Sequence, residues 1–182
     1  MFNLPDVRFV FPHAPMRPVT INGGYVMRAW YDIKTMAESE FREDEADIHA
    51  ATAQIEALIE AEKARGFSSE RILLAGFSQG AAMTLHVAHQ HAEPLAGIMA
   101  LSGYLLLEGS WDETASPANA TTPMLFCHGE FDQVVPCHRG QGAYERFKHP
   151  DRSTRWESYP MGHELCPPQI IDIREWLHER IG

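Results

Sequence analysis

The chain has 182 residues, of which 45% are hydrophobic and 22% are charged, and its formal net charge is -10. This length can bury one sizeable core, so a single globular domain over residues 1–182 is predicted. The negative charge would repel phosphate backbones and anionic membrane surfaces, and no basic run forms a local exception. Nucleic acid is therefore excluded as an expected partner.

The cysteines and the N-terminal sequence indicate where in the cell the protein is expected. Cys127, Cys137 and Cys166 cannot all pair within the chain, and none lies in a CxxC motif typical of zinc or redox sites. The N-terminus lacks the basic start and long apolar core of a signal peptide, and no apolar run approaches about 18 residues. We expect a cytoplasmic protein that does not insert into membranes.

Apolar runs and helical patterns alternate along the chain. A buried strand is predicted at residues 7–11, followed by a long loop rich in proline and glycine. Apolar residues at helical spacing predict a helix over residues 44–65, and Gly66 suits its left-handed end. Further apolar runs and helical segments then alternate. They predict strands at 72–75, 97–101, 124–127 and 154–159, and helices at 81–88, 138–149 and 168–181.

The strand composition indicates the sheet type. Strands that are apolar on both faces and alternate with helices favour a mainly parallel sheet with helices packed on both sides, which is an α/β architecture. Binding and catalytic sites in such sheets collect at the carboxyl ends of the strands. The candidate residues should therefore follow strand ends.

A GxSxG motif, Gly76-Phe77-Ser78-Gln79-Gly80, lies between a predicted strand and a predicted helix. This context is typical of the nucleophile elbow of α/β-hydrolases. On so tight a turn the serine backbone is strained, and we expect side chains at the two glycine positions to collide with the strand and the helix. Ser78 Oγ would stand at the top of the sheet, and the Gln79 N–H would point toward a developing oxyanion.

A nucleophilic serine needs a base to accept its proton and an acid to orient that base. In this type of hydrolase the chain order is serine, acid, histidine, with the acid beyond a strand and the histidine on a late loop. Asp132 and His163 meet both conditions. The alternatives for the acid are a turn-capping role for Asp132 and a catalytic role for the nearby Glu130.

The other histidines are weaker candidates for the base. His86, His89 and His91 are predicted on a solvated face of the helix after the elbow, and their spacing matches no strong metal pattern. His13 and His128 follow strand ends and could line the site, although a structural histidine is the favoured interpretation of each.

An acyl pocket could be formed by Trp30, Tyr31 and Met161. Large apolar side chains among apolar neighbours are equally consistent with ordinary core positions. Trp30, Met161 and His13 are therefore candidate substrate-binding residues, and no metal site is predicted.

Motifs spread over the chain carry a family resemblance. They are FVFPHAP at 9–15, RPVT at 17–20, NGG at 22–24, WYD at 30–32, ILLAGFSQGA at 72–81, LSG at 101–103, HG at 128–129 with Asp132 and VVP at 134–136, and GH at 162–163. Together they resemble the phospholipase/carboxylesterase family of small α/β-hydrolases, which includes bacterial carboxylesterases and acyl-protein thioesterases. The resemblance implies hydrolysis of carboxylic esters with short to medium acyl chains, by a monomer or homodimer that needs no cofactor.

The resemblance is incomplete at the N-terminus. Family members carry further upstream strands and an HGLG-type loop that supplies a second oxyanion donor, and no residues before Met1 supply them here. Loss of one oxyanion donor costs about 2.7 to 4 kcal/mol of transition-state stabilisation. A start placed too late, a fragment of a longer chain and a natural loss are three open explanations. We expect the 182-residue form, an N-terminally shortened α/β-hydrolase fold, to be less active and less stable than a form extended upstream. A thioesterase or lysophospholipase with the same triad, and a catalytically silent partial domain, stay open as alternatives.

Overall fold

The computed structural model describes residues 7–37 and 40–181 of the predicted domain. The strands in this part of the chain are β1 (Met16–Val19), β2 (Tyr25–Arg28), β3 (Ile33–Ala37), β4 (Glu40–Glu43), β5 (Leu73–Phe77), β6 (Gly97–Leu101), β7 (Met124–Gly129) and β8 (Thr154–Tyr159). The α-helices are α1 (Glu45–Ala64), α2 (Gln79–Gln90), α3 (Trp111–Thr114), α4 (Cys137–Phe147) and α5 (Pro167–Ile181).

A parallel sheet with the strand order β5-β6-β7-β8 forms the centre of the molecule. Its strands alternate with α2, α4 and α5 along the chain. Parallel pairing requires such connections, because the chain must return to the same end of the sheet before the next strand begins. The predicted parallel sheet is therefore confirmed.

Side chains alternate between the two faces of this sheet, since successive residues of a strand point in opposite directions. On β6 and β7, Ile98 and Phe126 pack in a cluster with α2 and α4, whereas Met99 and Leu125 pack in a cluster that contains Trp176 of α5. Both faces are thus covered by helices, as predicted.

Helix α1 forms a further layer on the outside of α2. Its buried residues Ile48, Ala51 and Ile59 belong to the same cluster as Met83 and Val87 of α2. The predicted bounds of α1 are accurate because local signals set both ends. The Asp44 side chain accepts a hydrogen bond from the Asp47 N–H at 3.1 Å, and Gly66 adopts φ = 100° just beyond the helix.

The expectation of a solvated face on α2 is wrong. This helix is sandwiched between the sheet and α1, so its residues from Ala81 to Ala88 are all buried. His86 and His91 are buried, and His89 stacks on Trp111 with a centroid distance of 3.7 Å. Polar side chains on a helix predict exposure only when nothing packs against that face.

The predicted strand at residues 7–11 is also wrong. These residues have no regular structure, and Phe11 is 84% exposed. Strand β5 pairs with β6, and no other strand in the described part of the chain pairs along its opposite edge. An apolar run becomes a strand only where a neighbour accepts its hydrogen bonds, so this run stays irregular.

The predicted long loop that follows contains regular structure. Strands β1 and β2 pair in an antiparallel hairpin, and β3 pairs antiparallel with β4. Gly23 and Gly24 lie in the β1–β2 connection with φ of 66° and 77°, which is the backbone region that glycine adopts readily.

Across residues 7–37 and 40–181, no helix is long and apolar enough to cross a lipid bilayer.

The buried His86 makes folding stability depend on pH. Burial lowers its pKa to about 4, from about 6.5 in an unfolded chain. The folded protein therefore resists protonation of this ring, so the stability that neutral His86 contributes is present above pH 6.5 and is lost as the pH falls toward 4. Between pH 7 and pH 4, the unfolding free energy of the wild type should therefore fall further than that of His86→Gln. The expected difference between the two losses is up to roughly 3 kcal/mol.

Urea unfolding at a series of pH values measures this difference. His13→Gln makes the same chemical change at an exposed position and serves as the control. Identical pH dependence in the wild type and His86→Gln would contradict the expectation.

Candidate active site

Ser78 occupies a strained turn between β5 and α2. Its φ of 54° and ψ of -121° are rare for a residue with a side chain. Its N–H donates to the Leu101 carbonyl oxygen at 2.8 Å, which ties the turn to the end of β6. The predicted elbow geometry is therefore present.

The two glycines of the motif differ in their surroundings. A Cβ on Gly76 would lie 2.2 Å from the Gly80 carbonyl oxygen, so the backbone on the two sides of the turn leaves no space for it. A Cβ on Gly80 would meet nothing within 4 Å. The expected collision is thus found at Gly76, and the expectation is wrong at Gly80, because that position faces open space.

The structure brings Ser78, His163 and Asp132 together in one hydrogen-bonded chain. His163 Nε2 lies 2.8 Å from Ser78 Oγ, and His163 Nδ1 lies 2.7 Å from Asp132 Oδ2. The three residues follow the ends of β5, β8 and β7, which lie at one edge of the sheet because the strands are parallel. This is the arrangement in which an imidazole can take a hydroxyl proton while a carboxylate orients it.

Asp132 is held by the backbone that follows it. Its Oδ1 accepts hydrogen bonds from the Val134 N–H at 2.9 Å and the Val135 N–H at 2.8 Å, which leaves Oδ2 for His163. Asp132 is therefore also a turn-capping residue, so the two interpretations of its sequence position are compatible. The alternative acid, Glu130, is exposed and accepts a hydrogen bond from Ser158 Oγ instead.

His128 supports the loop that carries Asp132. It is buried, and its Nε2 lies 2.8 Å from the Val135 carbonyl oxygen, which requires an N–H on that nitrogen. Burial lowers the pKa of His128, which favours the neutral ring although Asp132 Oδ2 is 3.5 Å away. A Cβ on Gly140 would lie 2.2 Å from His128 Nδ1, so α4 packs directly on this ring. His128 is the structural histidine that the sequence favoured.

Backbone contacts join the Asp132 loop to the His163 loop. The Phe131 N–H donates to the Met161 carbonyl oxygen at 3.0 Å. A Cβ on Gly129 would lie 2.2 Å from the Gly162 carbonyl oxygen, so the two loops are in close backbone contact. The His163 ring is half-buried and lies 4.8 Å from the Phe77 ring, centroid to centroid, so one of its faces packs against the elbow.

Gln79 is the first residue of α2 and directly follows Ser78. Its backbone N–H has no partner within the helix, because the first N–H groups of a helix lack one, and it lies at the positive end of the helix dipole. Its side chain makes two hydrogen bonds that sequence reasoning missed. Oε1 accepts from the Trp30 N–H at 2.7 Å, and Nε2 donates to the Tyr31 carbonyl oxygen at 2.9 Å.

The candidate substrate-binding residues fall in three different environments. Trp30 is half-buried and lies beside the elbow through its bond to Gln79. Met161 is buried in the cluster between the sheet and α5, which agrees with the core interpretation of this position, and its part in an acyl pocket stays a prediction. His13 is exposed in the irregular N-terminal segment, and its role stays a prediction.

A second serine, histidine and acid constellation lies away from this edge of the sheet. Ser69 Oγ is 3.3 Å from His91 Nε2, and His91 Nδ1 is 2.9 Å from Glu56 Oε2. Ser69 is only 4% exposed, so a substrate carbonyl cannot reach its hydroxyl. These three residues tie α1 to α2 and to the turn before β5, and Ser69 provides a matched control for Ser78.

In the described part of the chain, no three His, Cys, Asp or Glu side chains are grouped so that they could hold a metal ion. That the reaction needs no metal or cofactor stays a prediction.

Comparison with known proteins identifies the family. The model of the phospholipase/carboxylesterase family matches residues 1–181. The chain belongs to the phospholipase/carboxylesterase family. Proteins named acyl-protein thioesterase 1 are similar to it: the Gibberella zeae protein is 36% identical over 185 residues, which are 98% of this chain and 79% of that protein. The Neurospora crassa protein is 38% identical over 185 residues, which are 98% and 76% of the two chains.

Solved structures of this fold superpose on the chain. SOBER1 from Arabidopsis thaliana has a TM-score of 0.87 at 30% identity, over 95% of this chain and 83% of that one. Acyl-protein thioesterase 2 from Zea mays has a TM-score of 0.81 at 28% identity, over 94% and 80%. This member of the phospholipase/carboxylesterase family therefore has the α/β-hydrolase fold and is an enzyme of the carboxylesterase type, as the sequence predicted.

The different surroundings of the two elbow glycines lead to a prediction. We expect Gly76→Ala to force the turn apart, to destabilise the protein by about 1 to 3 kcal/mol and to abolish esterase activity. We expect Gly80→Ala to leave the melting temperature unchanged or to raise it, since alanine favours helix by up to about 1 kcal/mol. Both substitutions add one methyl group, so thermal unfolding of the two variants compares the space at the two positions. Equal destabilisation by Gly76→Ala and Gly80→Ala would contradict the elbow geometry.

Proposed function

We propose that this enzyme hydrolyses carboxylic esters and acyl thioesters through a covalent acyl-enzyme on Ser78. His163 is the general base and acid, Asp132 orients it, and the Gln79 N–H binds the oxyanion. The proposal is most strongly supported by the continuous hydrogen-bonded chain from Ser78 Oγ through His163 to Asp132, with distances of 2.8 Å and 2.7 Å.

Acylation begins when Ser78 Oγ attacks the substrate carbonyl carbon while His163 Nε2 takes the hydroxyl proton. The imidazolium that forms is stabilised by Asp132, whose charge is buried and fixed by two backbone N–H groups. The carbonyl oxygen becomes an oxyanion beside the Gln79 N–H. His163 then returns the proton to the departing alcohol or thiol, and the acyl group stays on Ser78.

Deacylation uses the same groups in the reverse order. His163 takes a proton from water, the resulting nucleophile attacks the acyl carbon, and the oxyanion again receives the Gln79 N–H. Collapse of this second tetrahedral intermediate releases the carboxylic acid and returns the proton to Ser78. Every proton in this cycle passes through one nitrogen, His163 Nε2.

The leaving group of the substrate can be an alcohol or a thiol. A thiolate leaves more readily than an alkoxide, so the same machinery acts on both classes and the binding surface decides between them. The Gibberella zeae and Neurospora crassa relatives are named acyl-protein thioesterase 1, which favours thioesters as well as esters. A lysophospholipase activity would use the same triad.

Two substitutions test the nucleophile. We expect Ser78→Ala to lose both p-nitrophenyl butyrate hydrolysis and butyrylthiocholine hydrolysis, and to lose labelling by a fluorophosphonate probe. Ser69→Ala removes a hydroxyl that also contacts a histidine but is buried. This variant should therefore keep both hydrolytic activities and the labelling by the probe. Hydrolysis that persists in Ser78→Ala at the wild-type rate would refute the proposed mechanism.

The same measurements separate the remaining alternatives. A wild-type protein that is folded but unlabelled by the probe would be the catalytically silent partial domain. A series of acetyl, octanoyl and palmitoyl substrates, each as ester and as thioester, distinguishes a short-chain esterase from a thioesterase for long acyl groups.

A further inference from the structure

A second function of Gln79 rests on its side chain. The amide makes a planar fork with one acceptor and one donor, and both are used on the backbone of consecutive residues, the Trp30 N–H and the Tyr31 carbonyl oxygen. Because a backbone N–H can only donate and a carbonyl oxygen can only accept, this pairing also fixes which amide atom is oxygen and which is nitrogen. The fork therefore has a single orientation.

The segment that Gln79 binds has no regular structure of its own. Residues 29–32 connect β2 to β3, and other contacts tie the far end of this connection to the body of the protein. The Asp32 carboxylate accepts from the Thr20 N–H at 2.7 Å and from Thr20 Oγ1 at 2.6 Å, and the Asp32 N–H donates to Asp47 Oδ2 at 3.0 Å. Gln79 joins the near end of the same connection to the elbow.

A further contact links this segment to the site. The buried Tyr31 hydroxyl lies 2.5 Å from the Tyr104 hydroxyl, and Tyr104 follows the carboxyl end of β6. The Trp30–Tyr31 segment is thus joined to the start of α2, directly after the elbow, and to the loop after β6. Displacement of this segment would alter the packing beside the elbow that carries Ser78.

We infer that the Gln79 side chain is a positioning residue for the hydrolytic reaction. Its amide holds the Trp30–Tyr31 segment against the elbow, and the same two bonds restrain the direction of the Gln79 backbone N–H. One residue thus supplies the oxyanion donor from its main chain and fixes a wall of the site with its side chain. This inference rests on the proposed function.

Gln79→Glu gives a test that a purely structural role would not satisfy. A neutral carboxyl group has the shape of the amide, so it can accept from the Trp30 N–H and donate to the Tyr31 oxygen. A carboxylate cannot donate, so ionisation turns the second bond into a repulsion between two oxygens. The ratio of Gln79→Glu to wild-type kcat/KM for p-nitrophenyl butyrate should therefore fall at least tenfold between pH 5 and pH 8.

Two further variants complete the experiment. Gln79→Met keeps the length of the side chain but has no amide to bond the Trp30 N–H and the Tyr31 carbonyl oxygen. Its kcat/KM should therefore be reduced at least tenfold at every pH. Gln141→Glu makes the same amide-to-acid change on the exposed surface of α4, and its ratio to the wild type should not change with pH. Circular dichroism at each pH ensures that all rates are compared between folded proteins.

The outcomes distinguish this inference from the proposed function. If Ser78→Ala abolishes hydrolysis but the Gln79→Glu ratio is independent of pH, or Gln79→Met retains wild-type kcat/KM, the inference is wrong and the serine mechanism stands. If Ser78→Ala retains hydrolysis, the proposed function itself fails, whatever the Gln79 variants do.

Discussion

The charge of Asp132 is taken out of water, and the rest of the site is arranged around that cost. A buried carboxylate is unfavourable unless its oxygens receive hydrogen bonds. Here the Val134 and Val135 N–H groups serve Oδ1 and His163 serves Oδ2, so both oxygens have partners. His163 is thereby fixed with its other nitrogen toward Ser78. Burial lowers the pKa of the neighbouring His128, which favours its neutral form, so His128 does not compete as a cation for the carboxylate.

Close backbone approaches give this arrangement its precision. Gly76, Gly129 and Gly140 each lie where a Cβ would come within 2.2 Å of another group. These contacts bring the elbow against the start of α2, the end of β7 against the His163 loop, and α4 against His128. The parallel sheet supplies the common edge, and the glycines allow the loops at that edge to approach within hydrogen-bond distance. Gln79 extends the same principle to the connection between β2 and β3.

The sequence predicted those features that depend on local chemistry or on a strand followed by a helix. The ends of α1, the bounds of β8 and the elbow at Ser78 are of this kind, and the spacing of Asp132 and His163 beyond their strands was enough to nominate both. Features that depend on distant packing were not predicted. His86 is buried because α1 covers α2, and residues 7–11 are exposed because no described strand pairs with them. The two hydrogen bonds of the Gln79 side chain join residues that are 48 and 49 positions apart in the sequence. No local pattern indicates them, because they form only when the fold brings the WYD motif beside the GFSQG motif.

The most direct measurement of the central claim is kcat/KM for p-nitrophenyl butyrate in Asp132→Asn. The amide can still accept from the Val134 and Val135 N–H groups, but its NH2 would face His163 Nδ1 and force the wrong tautomer. We expect a loss of about 10⁴-fold with the fold retained, as the corresponding change produces in serine proteases. Asp151→Asn, at an exposed position, should be as active as the wild type. An Asp132→Asn enzyme that keeps activity within tenfold of the wild type would contradict the account.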